Sequence, residues 1–207
     1  ATTDLQEMLQ VTLPENVKVV IQTGGAKKWQ NDQVKADRLQ RYEYSGNTLE
    51  LKDEADHAIR GDPATLKDFL KYGEENYQAD HKMLLFWNHG GGSISGVCFD
   101  EMNDSDSLSL REIDSALNSV YGQMSDKFEF IGFDACLMST LETANIIAPY
   151  ARYMFASEET EPGGGWNYTD IVDFLSGYPD ATGADLGEMQ CLSLIHISEP
   201  TRPEPIS

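Results

Sequence analysis

Cys136 and His89 are the two residues whose types and settings could carry nucleophilic chemistry. Phe128–Phe133 (FEFIGF) runs into Asp134-Ala135-Cys136, and Lys82–Trp87 (KMLLFW) runs into Asn88-His89. The two residues lie 47 positions apart (136 − 89). Adjacent parallel strands would nevertheless bring such loops together, and open α/β sheets collect function beyond the carboxyl ends of their strands. A thiol is only a few per cent thiolate at neutral pH. A neighbouring imidazole can favour the thiolate, or protonate a leaving amine during peptide cleavage. Taken singly, the plainer accounts are a small core cysteine and a loop histidine. Their matching positions at two strand ends favour the pair.

The glycines after the histidine add to this. Gly90, Gly91 and Gly92 leave the backbone bare, so a substrate carbonyl could approach it directly. The N–H groups of Gly90 and Cys136 are natural donors to the oxyanion of a tetrahedral intermediate. A flexible turn is the plainer account. A phosphate-binding loop fits poorly, because no Gly-Lys-Ser/Thr follows.

These residues need a scaffold, and the pattern of the chain supplies one. Val17–Thr23 (VKVVIQT) reads as a buried strand and the first of four central ones. The others are Lys82–Trp87, Phe128–Phe133 and Arg152–Ala156 (RYMFA). Arg38–Tyr44 and Thr48–Lys52 flank Ser45-Gly46-Asn47 as a hairpin. Asp62-Pro63 opens a helix with Leu66, Phe69 and Leu70 on its apolar face. Gly96–Asp100 reads as a short strand, Asn103–Ser109 as a polar loop, and Leu110–Tyr121 as an amphipathic helix. Ser139–Ile147 and Tyr168–Leu175 also read as helices, and Ser157–Trp166 as a Gly-rich loop. Apolar strands alternating with helices predict one α/β domain with a mostly parallel sheet covered on both faces.

Composition narrows the class. Asp and Glu number 35 against 15 Lys and Arg, a formal charge of −20. That balance argues against nucleic acid, whose binding rests on clustered Lys and Arg. It permits a cationic substrate, although solubility alone would explain it. Cys98, Cys136 and Cys191 form neither a disulfide framework nor a zinc pattern. No apolar run approaches the roughly 18 to 20 residues of a membrane span. The opening ATTDLQEMLQ has no basic start, no apolar stretch and no Met, so it reads as a trimmed or incomplete start.

The other end stands apart. Leu192–Arg202 reads LSLIHISEPTR, which resembles the in-frame translation of a transposase adaptor used for sequencing libraries. A domain is therefore expected over 1–190, truncated on its C-terminal side, with 191–207 a non-native or disordered tail. Cys191 sits at that junction.

Asn88-His89-Gly90-Gly91-Gly92, followed by Phe133-Asp134-Ala135-Cys136-Leu137-Met138, resembles the clostripain family of cysteine peptidases. Caspases, legumains, separases and gingipains share the pattern more loosely. Glu142, Ala144, Ala156-Ser157-Glu158-Glu159 and Pro162-Gly163-Gly164-Gly165-Trp166 extend the likeness, which covers roughly 17–175. The resemblance implies a caspase-like α/β/α sandwich, incomplete at its C-terminal side, and a dyad of His89 and Cys136. It implies endopeptidase cleavage after Arg, and sometimes Lys, by a bacterial protein that is secreted or held at the cell envelope. Asp134 matches the position that lines the pocket for the basic side chain, where a carboxylate would pair with guanidinium. Its plainer role would be a helix N-cap for Ser139–Ile147, or a turn former. Glu158 and Glu159 could add to the pocket.

No cofactor is required for this chemistry; calcium enters by resemblance only. Asp100, Glu101, Asp104 and Asp106 could bind calcium but lack EF-hand spacing, and a solvated acidic loop is the preferred reading. Family members are often matured by cleavage between the His and Cys segments. Asp100–Asp106 holds no Lys or Arg, and only Arg111 and Lys127 lie between His89 and Cys136. Two other readings stay open: an idle caspase-like module that binds basic peptides, and a Cys/His amidase.

Overall fold

A computed structural model describes residues 2–56 and 59–198. The chain opens with α1 (Thr2–Met8), β1 (Val19–Thr23), β2 (Arg38–Ser45), β3 (Thr48–Asp56) and α2 (Pro63–Asn76). Next come β4 (Met83–Trp87), α3 (Gly92–Ser95), β5 (Val97–Asp100), β6 (Asp106–Leu108) and α4 (Leu110–Tyr121). It continues with β7 (Phe128–Asp134), α5 (Leu141–Ile147), β8 (Ala151–Phe155), α6 (Tyr168–Gly177) and α7 (Gly183–Ser198).

The centre is the parallel sheet β4-β7-β8. Every residue of β7 is buried, as expected of a strand flanked on both sides and covered on both faces. Strand alternation sorts the neighbours. Leu84 and Phe86 of β4 join Ile131 and Phe133 of β7 in a core with Leu66 and Leu70 of α2, and Ile113 and Leu117 of α4. On the other face Met83, Leu85 and Trp87 meet Phe130, Trp166 and the apolar sides of α6 and α7. The result is the expected three-layer α/β/α arrangement.

Local chemistry explains the helix positions. Asp62 caps α2 through the Ala64 N–H at 2.8 Å, with Pro63 in the first turn. Ser109 and Glu112 form a capping box at the start of α4. Ile113, Ala116, Leu117 and Val120 then bury one helical face.

Two expectations need correction. Val17–Thr23 does not supply a strand of the parallel sheet: β1 pairs antiparallel with β2, and β1-β2-β3 form a separate sheet. Its apolar pattern suits either pairing, because periodicity reports burial and not the neighbour. The polar loop at 103–109 contains β6, which pairs with β5. Its three residues are too short and polar for a strand signal. The short helices α1 and α3 carried no periodic signal of their own. α7 runs from Gly183 to Ser198, and Ser193 donates to Asp170 at 2.9 Å, which bears on the order of 191–198 and not on their origin. Residues 199–207 lie outside the described ones.

Candidate active site

The register between β4 and β7 places the two chemical loops. Met83 pairs with Phe130 and Trp87 with Asp134. The ladder offset is 47 (130 − 83), the same as the separation of His89 and Cys136. Both residues therefore stand two positions beyond paired strand ends, on strands about 4.8 Å apart. The Asn88 N–H continues the ladder to the Asp134 carbonyl at 3.4 Å. His89 is exposed and Cys136 half-buried.

Gly90 seals the two loops together. A β-carbon there would lie 2.3 Å from the Cys136 carbonyl oxygen and 3.0 Å from Cβ of Ala135. Only glycine permits that approach. Gly90 also bridges Val97, and the bridge bonds come from its neighbours: Cys98 N–H to His89 O at 3.2 Å, and Gly91 N–H to Gly96 O at 2.8 Å. The Gly90 N–H is thus unused by the bridge. Among the described residues no hydrogen bond engages the N–H of Gly90 or of Cys136. Two residues beside the pair carry unusual backbone: Asn88 at φ 134 and Leu137 at φ 64. Positive φ in non-glycine residues stores strain, and such strain clusters at functional sites.

Cys98 is a different cysteine. It is buried, burial pushes its thiol up, and its Sγ donates to the Trp87 carbonyl at 3.6 Å. Cys191 lies exposed on α7.

The loop 157–166 folds over the Cys136 segment. Leu137 N–H donates to Glu159 O at 3.0 Å and Ser139 N–H to Ser157 O at 2.9 Å. The Glu161 N–H reaches Sγ of Cys136 at 3.3 Å, and the Glu161 carboxylate accepts the Trp166 indole N–H at 3.3 Å. Burial pushes the half-buried Glu161 carboxyl upward. Glu158 and Glu159, the acids singled out from sequence, are exposed, and Glu159 meets the Cys136 loop through its backbone. Glu161 is the one that sequence reasoning missed.

Asp134 lies inside the fold rather than at a helix end. The cap of α5 is Thr140, whose hydroxyl accepts the Thr143 N–H at 3.1 Å, so the N-cap reading of Asp134 is wrong. Its Oδ2 accepts the Tyr168 hydroxyl at 2.9 Å and the Trp166 N–H at 3.4 Å. Burial pushes its carboxyl up to about 6, against the pull of those two donors. A β-carbon on Gly165, itself at φ +69, would sit 3.1 Å from Oδ2 and 3.2 Å from Oδ1.

The acidic loop is not simply solvated. Asp100 is buried and accepts from the backbone N–H groups of Arg60 at 2.9 Å and Met102 at 2.8 Å. Among the described residues no three His, Cys, Asp or Glu side chains are grouped so as to hold a metal ion. Among the described residues no helix is long and apolar enough to cross a membrane.

Comparison with known proteins points one way. The profile of the clostripain family, Peptidase_C11, matches residues 1–202. Clostripain from Hathewaya histolytica is 33% identical over 134 residues, which are 56% of this chain and 24% of that protein. A secreted C11 cysteine protease from Bacteroides thetaiotaomicron, in complex with an irreversible peptide inhibitor, has a TM-score of 0.70 at 20% identity. That match covers 99% of this chain and 56% of the other. An inactive zymogen C11 protease from Parabacteroides distasonis has a TM-score of 0.68 at 20% identity, covering 94% and 53%. The chain spans about half the length of these structures and about a quarter of clostripain. The structural likeness carries the fold, and the profile match over nearly the whole length carries the family: this chain belongs to the clostripain family.

Proposed function

We propose that the chain carries the catalytic centre of a cysteine endopeptidase that cleaves after basic residues. The observation that carries this reading is the shared offset of the β4–β7 ladder and the His89/Cys136 pair, with Gly90 packed on the Cys136 carbonyl. His89 takes the thiol proton as Sγ of Cys136 attacks the scissile carbonyl carbon, and the carbonyl oxygen takes up the negative charge. The N–H groups of Gly90 and Cys136 hold that oxyanion. His89 gives a proton to the leaving amine as the C–N bond breaks, leaving a thioester. A water deprotonated by His89 then hydrolyses the thioester and regenerates the thiol.

Asp134 would receive the Arg or Lys side chain before the scissile bond. It ends the strand that leads to the nucleophile, and it is a desolvated carboxylate, where an ion pair is worth more than in water. Glu161 adds negative charge beside it, since its carboxylate raises that of Asp134. The strongly acidic composition suits a basic polypeptide partner. A secreted location fits this reading, as one of the similar structures is that of a secreted protease.

The test compares fluorogenic peptides ending in Arg, Lys and Asp, with the chain and with Cys136→Ala. Cleavage after Arg or Lys, lost in the variant, is the expected result. Equal cleavage after Asp would remove the pocket reading, and activity surviving in Cys136→Ala would remove the nucleophile. A folded chain that binds the basic peptides without cleaving any would be an idle module.

A further inference from the structure

Asp134 offers only one of its oxygens. Oδ2 takes both the Tyr168 hydroxyl and the Trp166 N–H, at 2.9 and 3.4 Å, and a carboxylate oxygen has about two lone-pair sites. Oδ1 has no hydrogen-bond partner among the described residues. Nor is it sealed: the sealed, unpaired side-chain polar atoms among those residues are Trp29 Nε1 and the two amide atoms of Gln190. Oδ1 therefore keeps a path to solvent.

Tyr168 is itself fixed. It is buried, its N–H donates to Glu7 at 3.0 Å, and its ring packs edge-on against Trp87 at 6.2 Å between centroids. Burial, reinforced by the nearby Asp134, holds its phenol well above the usual range, so the hydroxyl stays a donor. We propose that Tyr168 is a positioning residue for the pocket: together with the Trp166 N–H it turns Asp134 so that a substrate cation meets Oδ1 alone. The inference rests on the reading of Asp134 as the cation-binding residue.

The charges around Asp134 make the role measurable. Glu161 from the 157–166 loop and Asp4 from α1 oppose its ionisation, while Tyr168 from α6 and the Trp166 N–H favour it. Glu7 of α1 acts on Tyr168 in turn. Loss of the Tyr168 hydroxyl removes the first-named of the two favouring bonds. Asp134 then ionises at higher pH and its free oxygen loses its fixed direction.

The experiment measures KM and kcat for an Arg peptide, and Ki for benzamidine, across pH in wild type, Tyr168→Phe and Asp134→Asn. Benzamidine carries the cation without a scissile bond, so its Ki follows the pocket rather than the dyad. Tyr168→Phe should raise KM and Ki about tenfold at neutral pH, with kcat little changed. The acid limb of 1/Ki should move to higher pH. A merely structural tyrosine would lower kcat or the melting temperature without moving that limb, and this outcome overturns the proposal. Should Tyr168→Phe not fold, 3-fluorotyrosine at position 168 keeps the shape and strengthens the donor. The limb should then move to lower pH, and an unmoved limb overturns the proposal. Unchanged KM and Ki in Asp134→Asn would instead sink the pocket reading itself. Loss in Asp134→Asn with a neutral Tyr168→Phe would remove only the positioning role.

Discussion

Asp100 and Asp134 are both buried acids that close a strand, β5 and β7 respectively, at 0% and 5% exposure. They are held in opposite ways. Both oxygens of Asp100 are engaged: Oδ1 by the Met102 N–H, and Oδ2 by the Arg60 N–H and the Asn103 amide. It ties the chain at Arg60 to its own turn at Met102 and Asn103, and a carboxylate so surrounded is structural. Asp134 has its two donors on one oxygen and keeps the other open. A buried charge without full compensation costs stability. The difference teaches how to read a buried carboxylate: the distribution of donors over its two oxygens separates a brace such as Asp100 from the binding role proposed for Asp134.

The comparison can be broken first at Asp134. Asp134→Asn should lower kcat/KM for Arg peptides by a hundredfold or more, an effect of about 3 kcal/mol, with the fold intact. A loss below about threefold would contradict its assignment as a binding group. Asp100→Ala should do the reverse. It leaves buried N–H groups without an acceptor and should cost about 2–4 kcal/mol in urea unfolding, while the folded fraction keeps its kcat/KM. A stable variant would show that Asp100 is no brace.

The pH dependence of stability sharpens the contrast. Folding raises the Asp134 carboxyl to about 6, so the protonated form is the one that the fold favours. The stabilisation from protonation is fully present below about pH 4 and lost as pH rises through about 6. Asp134→Asn escapes that loss. Its stability relative to wild type should therefore grow by roughly 2–3 kcal/mol between pH 4 and 7, and parallel curves would contradict the cost. A smaller effect is expected at Gly165→Ala. The new methyl presses on the Asp134 carboxylate from a backbone at φ +69, and KM for Arg peptides should rise about fivefold to tenfold. Least of all should be the choice between Arg and Lys. A single available oxygen denies guanidinium its two-point fork, so kcat/KM for the two should agree within about tenfold. A preference of a thousandfold would mean that both oxygens are reached.

Much of this could be read from the residues. The loops of His89 and Cys136 announced themselves because the strands before them are two of the most apolar, and apolar strands lie side by side at the centre of an α/β sheet. The capping signals of α2 and α4 are local, so they read correctly. What escaped was set by long-range contact. Glu158, Glu159 and Glu161 look alike on paper. Only the backbone bonds of Ser157 and Glu159 to the Cys136 loop show that Glu161 is the one brought to the sulfur. Tyr168 read only as the start of a helix, because its bond to Asp134 spans 34 positions. Asp100 looked solvated for the same reason, since its partner Arg60 lies 40 positions away. β1 read as a parallel strand because hydrophobic pattern does not name a neighbour.

The ladder between β4 and β7 works as a ruler laid across the molecule. It fixes where His89 and Cys136 stand without regard to how much chain is spooled out between them. The turn at Gly122, where an added methyl would touch nothing, lies on that spool. A loop, a tag or a small foreign module could be spliced in there without shifting either residue. A slip of one rung would be another matter: it would bring Ala135 or Leu137 opposite His89 and leave the thiol facing the wrong way.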